Sequence, residues 1–508
     1  MNTTATGRGI WDLHNILLDC NVWDSTYYLM LLPTLLVVIR IVIYCTFILL
    51  SFAYYLAPGH QNRHSNLPPG SMGLPIIGET LMFILQGTKF FEFRYKKYGP
   101  VFKTHLFGTP VIRVMGEDNI KRILQGENDV VTSYWPASVR MMLGDKALSV
   151  STGDDHRRRR KAIMKTFSHH SMSFYTKLMQ QVVKTTLALW CEKDSILGFL
   201  ECKSMAFDLA AQAFVGIRLH SAQTTELVRQ YDTFVKNLFC LPFQFPGMGL
   251  VKGMAARKFL LQKIEECLVK KKESTGDDQD LQDAMSLLVR EQDEEALDLD
   301  TLKEIGLELL FAGHSTTASA ATSLLIHLQD NRHVVEKILE ELDQFGLSES
   351  GQELNMDMLR KLTYVNAVVK EALRVAPPVG AGFRTALKSF TLNGYSIPEG
   401  WMIAYSIRET HKTDFFTDPE TFEPSRWLTG DELDTKYQFL PFGGGARVCI
   451  GKEFAQMFLR IFVVELVKSC HWQIKSNRKM VMFPVPYPAD NLPVVFTAKQ
   501  QHKTISII

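Results

Sequence analysis

The hydrophobic pattern of the amino terminus differs from that of the rest of the chain. Residues 28–57 are almost wholly apolar and contain a single charge, Arg40. About 20 apolar residues suffice to cross the hydrocarbon core of a bilayer, and a lone arginine can extend its guanidinium toward the headgroups. The pattern therefore predicts a transmembrane anchor over 28–57, preceded by a segment of mixed polarity, 1–27.

A proline- and glycine-rich stretch, 58–78, follows the predicted anchor. Proline restricts the backbone and stops helices, so this stretch predicts a stiff hinge ahead of one main domain, 79–508. His60, Arg63 and His64 flank the anchor on its carboxy-terminal side, whereas acidic residues precede it. The positive-inside bias favours a cytosolic main domain and a lumenal amino terminus.

Alternation and helical periodicity predict the layout of the main domain. Residues 101–115 form two short alternating runs with a turn at 108–110, and Asn393-Gly394 joins two further runs. Most of 155–375 has apolar residues at helical spacing, and a long helix is expected from about 301 to 329. The periodicity breaks at 241–249 and at 274–283. This layout predicts a mainly α fold (α+β), with a large helical body and a small β-rich part.

Composition narrows the class of protein. The 508 residues are 46% hydrophobic and 22% charged, which is typical of a globular chain. Its 56 basic and 54 acidic residues nearly balance, so the overall charge excludes a nucleic-acid partner. No two of the eight cysteines have CxxC spacing, so neither a zinc module nor a dense disulfide framework is expected.

One glycine-rich loop, Phe442-Gly-Gly-Gly-Ala-Arg-Val-Cys-Ile-Gly451, precedes a strongly apolar helical segment. Glycines let the backbone pass close to a flat, bulky group. Cys449 lies where the helix begins, and the helix dipole there favours the thiolate, the form that ligates metals. Arg447 can pair with an adjacent anion.

This string resembles the haem-binding loop of the cytochrome P-450 monooxygenases. The resemblance implies a cytochrome P-450 fold in which Cys449 is the proximal ligand of the iron of haem b, with Phe442 and Arg447 beside the cofactor. It also implies electrons from NADPH through NADPH–cytochrome P-450 reductase. The expected location is the endoplasmic reticulum membrane, with the haem-thiolate catalytic domain facing the cytosol.

Three further motifs match the family in the expected order. Glu371-Ala-Leu-Arg374 resembles its ExxR helix, and Arg426 resembles the arginine that completes that ion-pair network, a structural role. Within the predicted long helix, Thr316 matches the family's hydroxyl that relays protons at the oxygen site, where dioxygen binds over the haem. Ser315 stands where many members carry an acid, and a serine cannot supply a carboxylate proton. Two routes of proton delivery remain open, one through His314 and one through ordered water.

The densest charge run, 156–161, has two interpretations. By charge alone it is a solvated helix face or a basic patch for an acidic partner. By resemblance, His156 and Arg160 occupy the family's Trp-x-x-x-Arg positions, and Arg160 would contact a haem propionate. Arg384 is a second propionate candidate, and the remaining arginines would contribute to the face that docks the electron donor.

Several segments are similar to one branch of the family, the retinoic acid hydroxylases of family 26. They are residues 103–108, 134–140, 237–239, 317–324 and 439–441. This resemblance implies oxidation of all-trans retinoic acid on its ring, such as 4-hydroxylation, in retinoic acid catabolism. The expected apolar walls are Trp135, Phe239, Phe311 and Phe383. Arg113 is the first candidate to pair with the retinoate carboxylate and Arg140 the second.

Three alternatives compete with this function. The first is monooxygenation of another lipid or a sterol. The second is a haem-thiolate isomerase or dehydratase that needs no reductase, which Ser315 favours because such chemistry requires no dioxygen activation. The third is a retinoid-binding protein that holds haem but does not turn over.

Overall fold

The computed structural model describes residues 32–46, 48–50, 66–74, 77–87, 89–218, 222–273, 282–291, 296–348, 352–413, 415–428 and 437–499. Among these described residues, the α-helices α1–α16 are Leu32–Leu50, Thr80–Gln86, Lys89–Tyr98, Glu117–Gln125, Ala137–Leu143, Gly153–Lys165, His169–Cys191, Gly198–Ala210, Ala222–Asn237, Gly249–Glu273, Ala284–Arg290, Leu299–Asp330, Arg332–Gln344, Met356–Lys361, Thr363–Val375 and Lys452–Ser469. The described strands, β1–β12, are Val101–Leu106, Thr109–Val114, Val131–Ser133, Ile196–Leu197, Ala381–Ala386, Phe390–Leu392, Tyr395–Ile397, Met402–Ser406, Cys470–Ile474, Met480–Val481, Tyr487–Pro488 and Pro493–Ala498. The predicted mainly α fold is confirmed.

Two tight hairpins follow from their turn residues. In β1–β2, Phe107 and Gly108 have φ of 52° and 77°, and in β6–β7 Asn393 and Gly394 have φ of 49° and 79°. Positive φ at both central residues is typical of the type I′ turn, whose twist matches that of the flanking strands. The first turn lies one residue earlier than predicted, because Thr109 already pairs with Leu106.

The largest sheet has the strand order β1-β2-β8-β5-β3. Arg113 of β2 and Phe383 of β5 both lie beside Ala404 of the central strand β8. Residues in register on adjacent strands point to the same face, and the next residue points to the other. The sheet therefore directs Arg113 and Phe383 to one face and Arg384 to the opposite one.

The helical body is built around α12, Leu299–Asp330, which contains the helix expected at about 301–329. The Asp298 carboxylate caps it by accepting a hydrogen bond from the Thr301 N–H at 2.7 Å. A Cβ at Gly313 would lie 3.2 Å from the Phe214 ring and 3.5 Å from the Ala210 Cβ. The glycine in the middle of this helix thus allows close packing against the end of α8.

Two described helices are long and apolar enough to cross a membrane, by length and composition. The α12 helix is two-thirds buried within the helical body, whereas α1, Leu32–Leu50, has none of its span buried. The helix α1 falls within the predicted anchor 28–57. The predicted segment 1–27 lies outside the described residues.

The end of the predicted hinge 58–78 packs on strand β1 of the largest sheet. Within its described part, the Pro69 carbonyl accepts the Lys103 N–H at 2.8 Å, and just after the hinge the Glu79 N–H donates to the His105 carbonyl at 2.8 Å. A Cβ at Gly70 would lie 2.1 Å from the Lys103 carbonyl oxygen. These contacts join the described end of the stretch to strand β1.

Candidate active site

The glycine-rich loop turns sharply before α16. Gly443 and Gly445 have φ of 67° and 66°, and a Cβ at Gly445 would lie 2.4 Å from the Leu124 carbonyl oxygen. Only glycine adopts this conformation without strain. The loop is closed by the Cys449 N–H, which donates to the Phe442 carbonyl at 2.9 Å.

The Cys449 thiol lines an internal space. Its side chain is exposed, yet burial is the largest influence on its pKa and raises it. Both statements hold for a side chain on the wall of a cavity that is surrounded by protein. The Gly451 N–H and the Arg160 charge lower the pKa, so they favour the thiolate. Binding a metal cation would complete the deprotonation.

The middle of α12 also has an accessible stripe. Ala312 is exposed and Thr316 is half-buried, although the turns before and after them are buried. The Thr316 hydroxyl donates to the Ala312 carbonyl at 2.6 Å. An accessible alanine and threonine within a core helix indicate an internal space beside this turn.

His314 faces a different region from this stripe. Its ring is buried and meets the rings of Phe207 and Tyr231 edge to face, at centroid distances of 5.9 and 5.0 Å. Its Nδ1 lies 3.1 Å from the Ser315 hydroxyl. Burial lowers the pKa of His314 to about 3, so the ring is neutral at pH 7 and is a poor proton donor.

Two arginines contact one carboxylate, Glu127. Its Oε1 accepts a hydrogen bond from Arg447 Nε at 2.9 Å, and its Oε2 lies 2.9 Å from Arg384 Nε. Burial, together with the charges of Arg447, Arg160 and Arg384, lowers the pKa of the nearby His156 to about 4. We call His156, Arg160, Arg384 and Arg447 with Glu127 the cationic cluster.

The cationic cluster has more positive charge than its own residues neutralise. In the described part of the chain, Arg160 forms no ion pair with a carboxylate, and the buried Arg447 Nη2 has no hydrogen-bond partner. Arg384 and Arg447 share the single charge of Glu127, so together with Arg160 the site suits a ligand with further negative charges. A haem with two propionates and an iron atom fits both this cluster and the neighbouring Cys449 thiol.

Helix α6 divides the basic run between two environments. His156 and Arg160 lie one turn apart on its inner face, whereas Arg157 and Arg158 are exposed. Arg159 is also buried and donates to the Asp145 carbonyl at 3.2 Å. Of the four consecutive arginines, two therefore belong to the surface and two to the interior.

The structure brings the predicted ion-pair residues together. The buried Arg374 donates to both oxygens of Glu371, at 2.9 and 2.8 Å, and Arg426 Nε donates to Glu371 Oε1 at 3.0 Å. The Trp427 indole and the Glu423 N–H, which sequence reasoning missed, also donate to this carboxylate at 2.9 Å. Every oxygen of Glu371 is thus satisfied within what we call the closed network.

The predicted apolar walls come from four parts of the fold. Phe311 lies on α12 and Phe383 on the sheet, and Trp135 donates through Nε1 to the Ser149 carbonyl at 3.2 Å. The Phe239 ring meets Phe483 edge to face at 5.2 Å. Sequence reasoning missed Phe483, because only the folded β10–β11 turn brings it to the end of α9.

The two predicted carboxylate-binding arginines have other environments. Arg113 is 3% exposed, its Nη2 lies 2.8 Å from Glu409 Oε2, and its guanidinium stacks 4.3 Å from the Phe91 ring centroid. Glu409 thus neutralises the charge of Arg113, and the pairing of Arg113 with retinoate stays a prediction. Arg140 is exposed and lies 4.0 Å from Asp145.

Comparisons with known proteins agree with this geometry. The family model "Cytochrome P450" matches residues 68–489. The chain is 45% identical over 451 residues to "Cytochrome P450 26A1" of Danio rerio, covering 86% of this chain and 92% of that protein. It is 38% identical over 443 residues to "Cytochrome P450 26B1" of Homo sapiens, covering 85% and 86% respectively.

A solved structure described as "Retinoic acid bound cyanobacterial CYP120A1" has a TM-score of 0.79 and 33% identity, and covers 85% of this chain and 99% of its own. The family match extends over most of the chain and agrees with the predicted fold, cofactor and reaction class. The chain belongs to the cytochrome P450 family of haem-thiolate monooxygenases.

Proposed function

We propose that this chain hydroxylates all-trans retinoic acid on its ring, with the 4-position as the expected site, and so serves retinoic acid catabolism. The similarity to a retinoic acid-bound P450 over 85% of the chain carries this proposal. The aromatic side chains at Trp135, Phe239, Phe311 and Phe383 support it, since flat apolar groups suit a conjugated polyene.

Cys449 and the cationic cluster would hold the haem. Cys449 supplies the thiolate ligand, and Phe442 fixes the loop through its carbonyl. Arg160, Arg384 and Arg447 would pair with the propionates, and His156 would lie beside them. Bound in this way, a thiolate-ligated haem activates dioxygen for insertion of one oxygen atom into a C–H bond.

Thr316 would handle protons at the oxygen site. Its hydroxyl donates to the Ala312 carbonyl, so its lone pairs can accept a hydrogen bond from ordered water. On turning away from that carbonyl, the hydroxyl would pass its proton toward the oxygen site and take one from the ordered water, so that Thr316 stays neutral. The neighbouring His314 is neutral and cannot act as the acid at pH 7. Protons would therefore come through a water molecule held by Ser315.

The surroundings of this centre support a membrane-bound enzyme with an external electron source. Helix α1 would anchor the chain in the endoplasmic reticulum membrane, with the catalytic domain in the cytosol. The exposed Arg157 and Arg158 on α6 would contribute to the docking face for an acidic flavoprotein, NADPH–cytochrome P-450 reductase.

A difference-spectrum titration of the purified, haem-loaded protein with all-trans retinoic acid tests the substrate. A shift to high spin is expected, followed by hydroxylated product when reductase and NADPH are added. A thiolate-haem spectrum without any shift would reject this substrate. Turnover that proceeds without reductase would instead indicate the isomerase or dehydratase class.

The ligand assignment has its own test. Replacing Cys449 with alanine is expected to abolish the ferrous carbon monoxide band typical of a thiolate haem, because alanine offers iron no ligand. Cys470→Ala, which removes a thiol at the far end of α16, is the matched control and should retain the band. Retention of the band by both variants would remove Cys449 from this role.

A further inference from the structure

A short loop connects helix α12 to Trp135, a predicted wall of the substrate pocket. Residues 144–152, the α5–α6 loop, run between α5 and α6 and are bound by two carboxylates one turn apart on α12. Glu304 accepts the Lys146 N–H at 2.7 Å. Glu308 accepts two consecutive N–H groups, from Leu148 at 2.5 Å and from Ser149 at 2.8 Å.

The second of these attachments continues to a predicted pocket wall. The Ser149 residue that donates its N–H to Glu308 also accepts, through its carbonyl, the Trp135 indole N–H at 3.2 Å. The Ser133 hydroxyl donates to the same carbonyl at 3.2 Å. A chain of hydrogen bonds therefore runs from α12 through the backbone of one residue, Ser149, to the Trp135 ring.

Glu308 is an unusual choice for a purely structural anchor. It is buried, and it forms no ion pair within the residues that the structure describes. Burial is the largest influence on its pKa and raises it, while its hydrogen bonds from Ser149 and Leu148 oppose that shift. Burying a carboxylate without a cation is costly, so an arrangement that retains one requires both backbone donors.

The stripe of α12 that carries Glu308 also carries the oxygen site. Ala312 and Thr316 follow Glu308 at successive spacings of four residues, which places all three along one side of the helix. The α5–α6 loop also contacts the glycine-rich loop, because the Ser151 carbonyl accepts a hydrogen bond from Arg447 Nη1 at 2.8 Å. Glu308 thus fixes Trp135 relative to the Ala312–Thr316 turn of α12, where the oxygen chemistry is expected.

From this geometry we infer that Glu308 is a positioning residue for the substrate, which acts through Ser149 on the orientation of Trp135. The inference rests on the proposed function, in which Trp135 contacts retinoic acid. A carboxylate is needed because it accepts both N–H groups at once, whereas a glutamine amide has one acceptor and would turn its NH2 group toward a second donor.

The test compares Glu308→Gln with Trp135→Phe, which removes only the indole N–H donor and retains an aromatic ring. In full-length, haem-loaded protein, each change is expected to raise the spectral dissociation constant for all-trans retinoic acid by about three- to tenfold. The double variant should be no weaker than the weaker single variant, because both changes break one chain of hydrogen bonds. The ferrous carbon monoxide band should be unchanged in all three.

Glu304→Gln is the matched control, since Glu304 anchors the same loop from the same helix without a contact to Trp135. Its effect on binding is expected to be smaller and to add to that of Trp135→Phe. Additive effects of Glu308→Gln and Trp135→Phe, or unchanged binding in Glu308→Gln, would overturn the inference. Equal effects of the two glutamine variants would also overturn it, because they would indicate general loosening of the loop.

A second readout separates this inference from the proposed function. With fluorinated tryptophan, the NMR signal of Trp135 in the diamagnetic ferrous carbon monoxide form is assigned by its loss in Trp135→Phe. Glu308→Gln should shift or broaden that signal, and Glu304→Gln should leave it in place. If the wild type shows no spectral shift with retinoic acid, the proposed function fails, while an unaltered Trp135 signal in Glu308→Gln defeats the positioning role.

Discussion

The closed network around Glu371 and the cationic cluster around Glu127 are both buried sets of arginines and a carboxylate, yet their hydrogen bonding differs. Glu371 accepts five hydrogen bonds from four residues, and Arg374 spends its remaining donors on the carbonyls of His411, Pro419 and Thr421. In the cationic cluster, Arg384 and Arg447 share one carboxylate, and among the described residues Arg160 forms no ion pair and a buried donor of Arg447 has no partner.

This difference separates a structural role from a binding role. Buried charges persist when they are paired and hydrogen-bonded, so a fully satisfied set needs nothing further. A set with excess charge requires an additional anion, and its perturbed histidine is typical of a functional site. The comparison predicts that damage to the closed network impairs the fold, whereas damage to the cationic cluster impairs retention of the haem.

The largest effect is expected from Glu371→Gln. The change would leave the buried Arg374 without the counter-charge that Glu371 supplies, at a cost of about 3–5 kcal/mol in the free energy of unfolding. The soluble yield and the thermal unfolding midpoint measure this loss. Glu423→Gln, at the edge of the same network, should have a much smaller effect, and a normal midpoint in Glu371→Gln would contradict the structural role.

Arg447→Ala should leave the chain folded and weaken haem binding. A buried charge-assisted hydrogen bond contributes about 1.5–3 kcal/mol, so haem loss to a scavenging globin is expected to accelerate about tenfold or more. Arg426→Ala is the matched control from the closed network. It should lower the unfolding midpoint without accelerating haem loss from the folded fraction, and the reverse pattern would break the comparison.

Thr316→Ala touches neither set of charges and should therefore change only the coupling of the reaction. Loss of the hydroxyl is expected to lower product formed per NADPH several-fold and to release peroxide, while the haem spectrum stays normal. Thr316→Ser retains the hydroxyl and should preserve most of the coupling. Unchanged product per NADPH in the alanine variant would remove Thr316 from proton handling.

The smallest effect concerns acid stability. The pKa of His156 in the folded chain is about 4, below its ordinary value of 6.5. Between these values the unfolded chain binds a proton that the folded chain does not, so stability is full above pH 6.5 and is lost as the pH falls toward 4. In His156→Gln, the drop in unfolding midpoint between pH 7 and pH 5 should be smaller by about 1–2 °C. An identical drop would place His156 outside the cationic cluster.

Sequence patterns were sufficient for the fold class, the family and several individual elements. Helical periodicity predicted α12 to within two residues, because an amphipathic helix repeats its apolar positions locally. Asn393-Gly394 predicted its hairpin, since the residues that tolerate positive φ are few. The loop at Cys449 predicted the family because its chemistry is contained within ten consecutive residues.

Pairings over long sequence separations were decided only by the tertiary structure. Glu127 lies 320 positions from Arg447, and no local signal marks it as the carboxylate of the cationic cluster. Glu409 neutralises Arg113 across 296 positions, a pairing that no local pattern indicates. Local sequence determines which backbone and side-chain chemistry is available, whereas charge neutralisation depends on which groups the packed chain brings together.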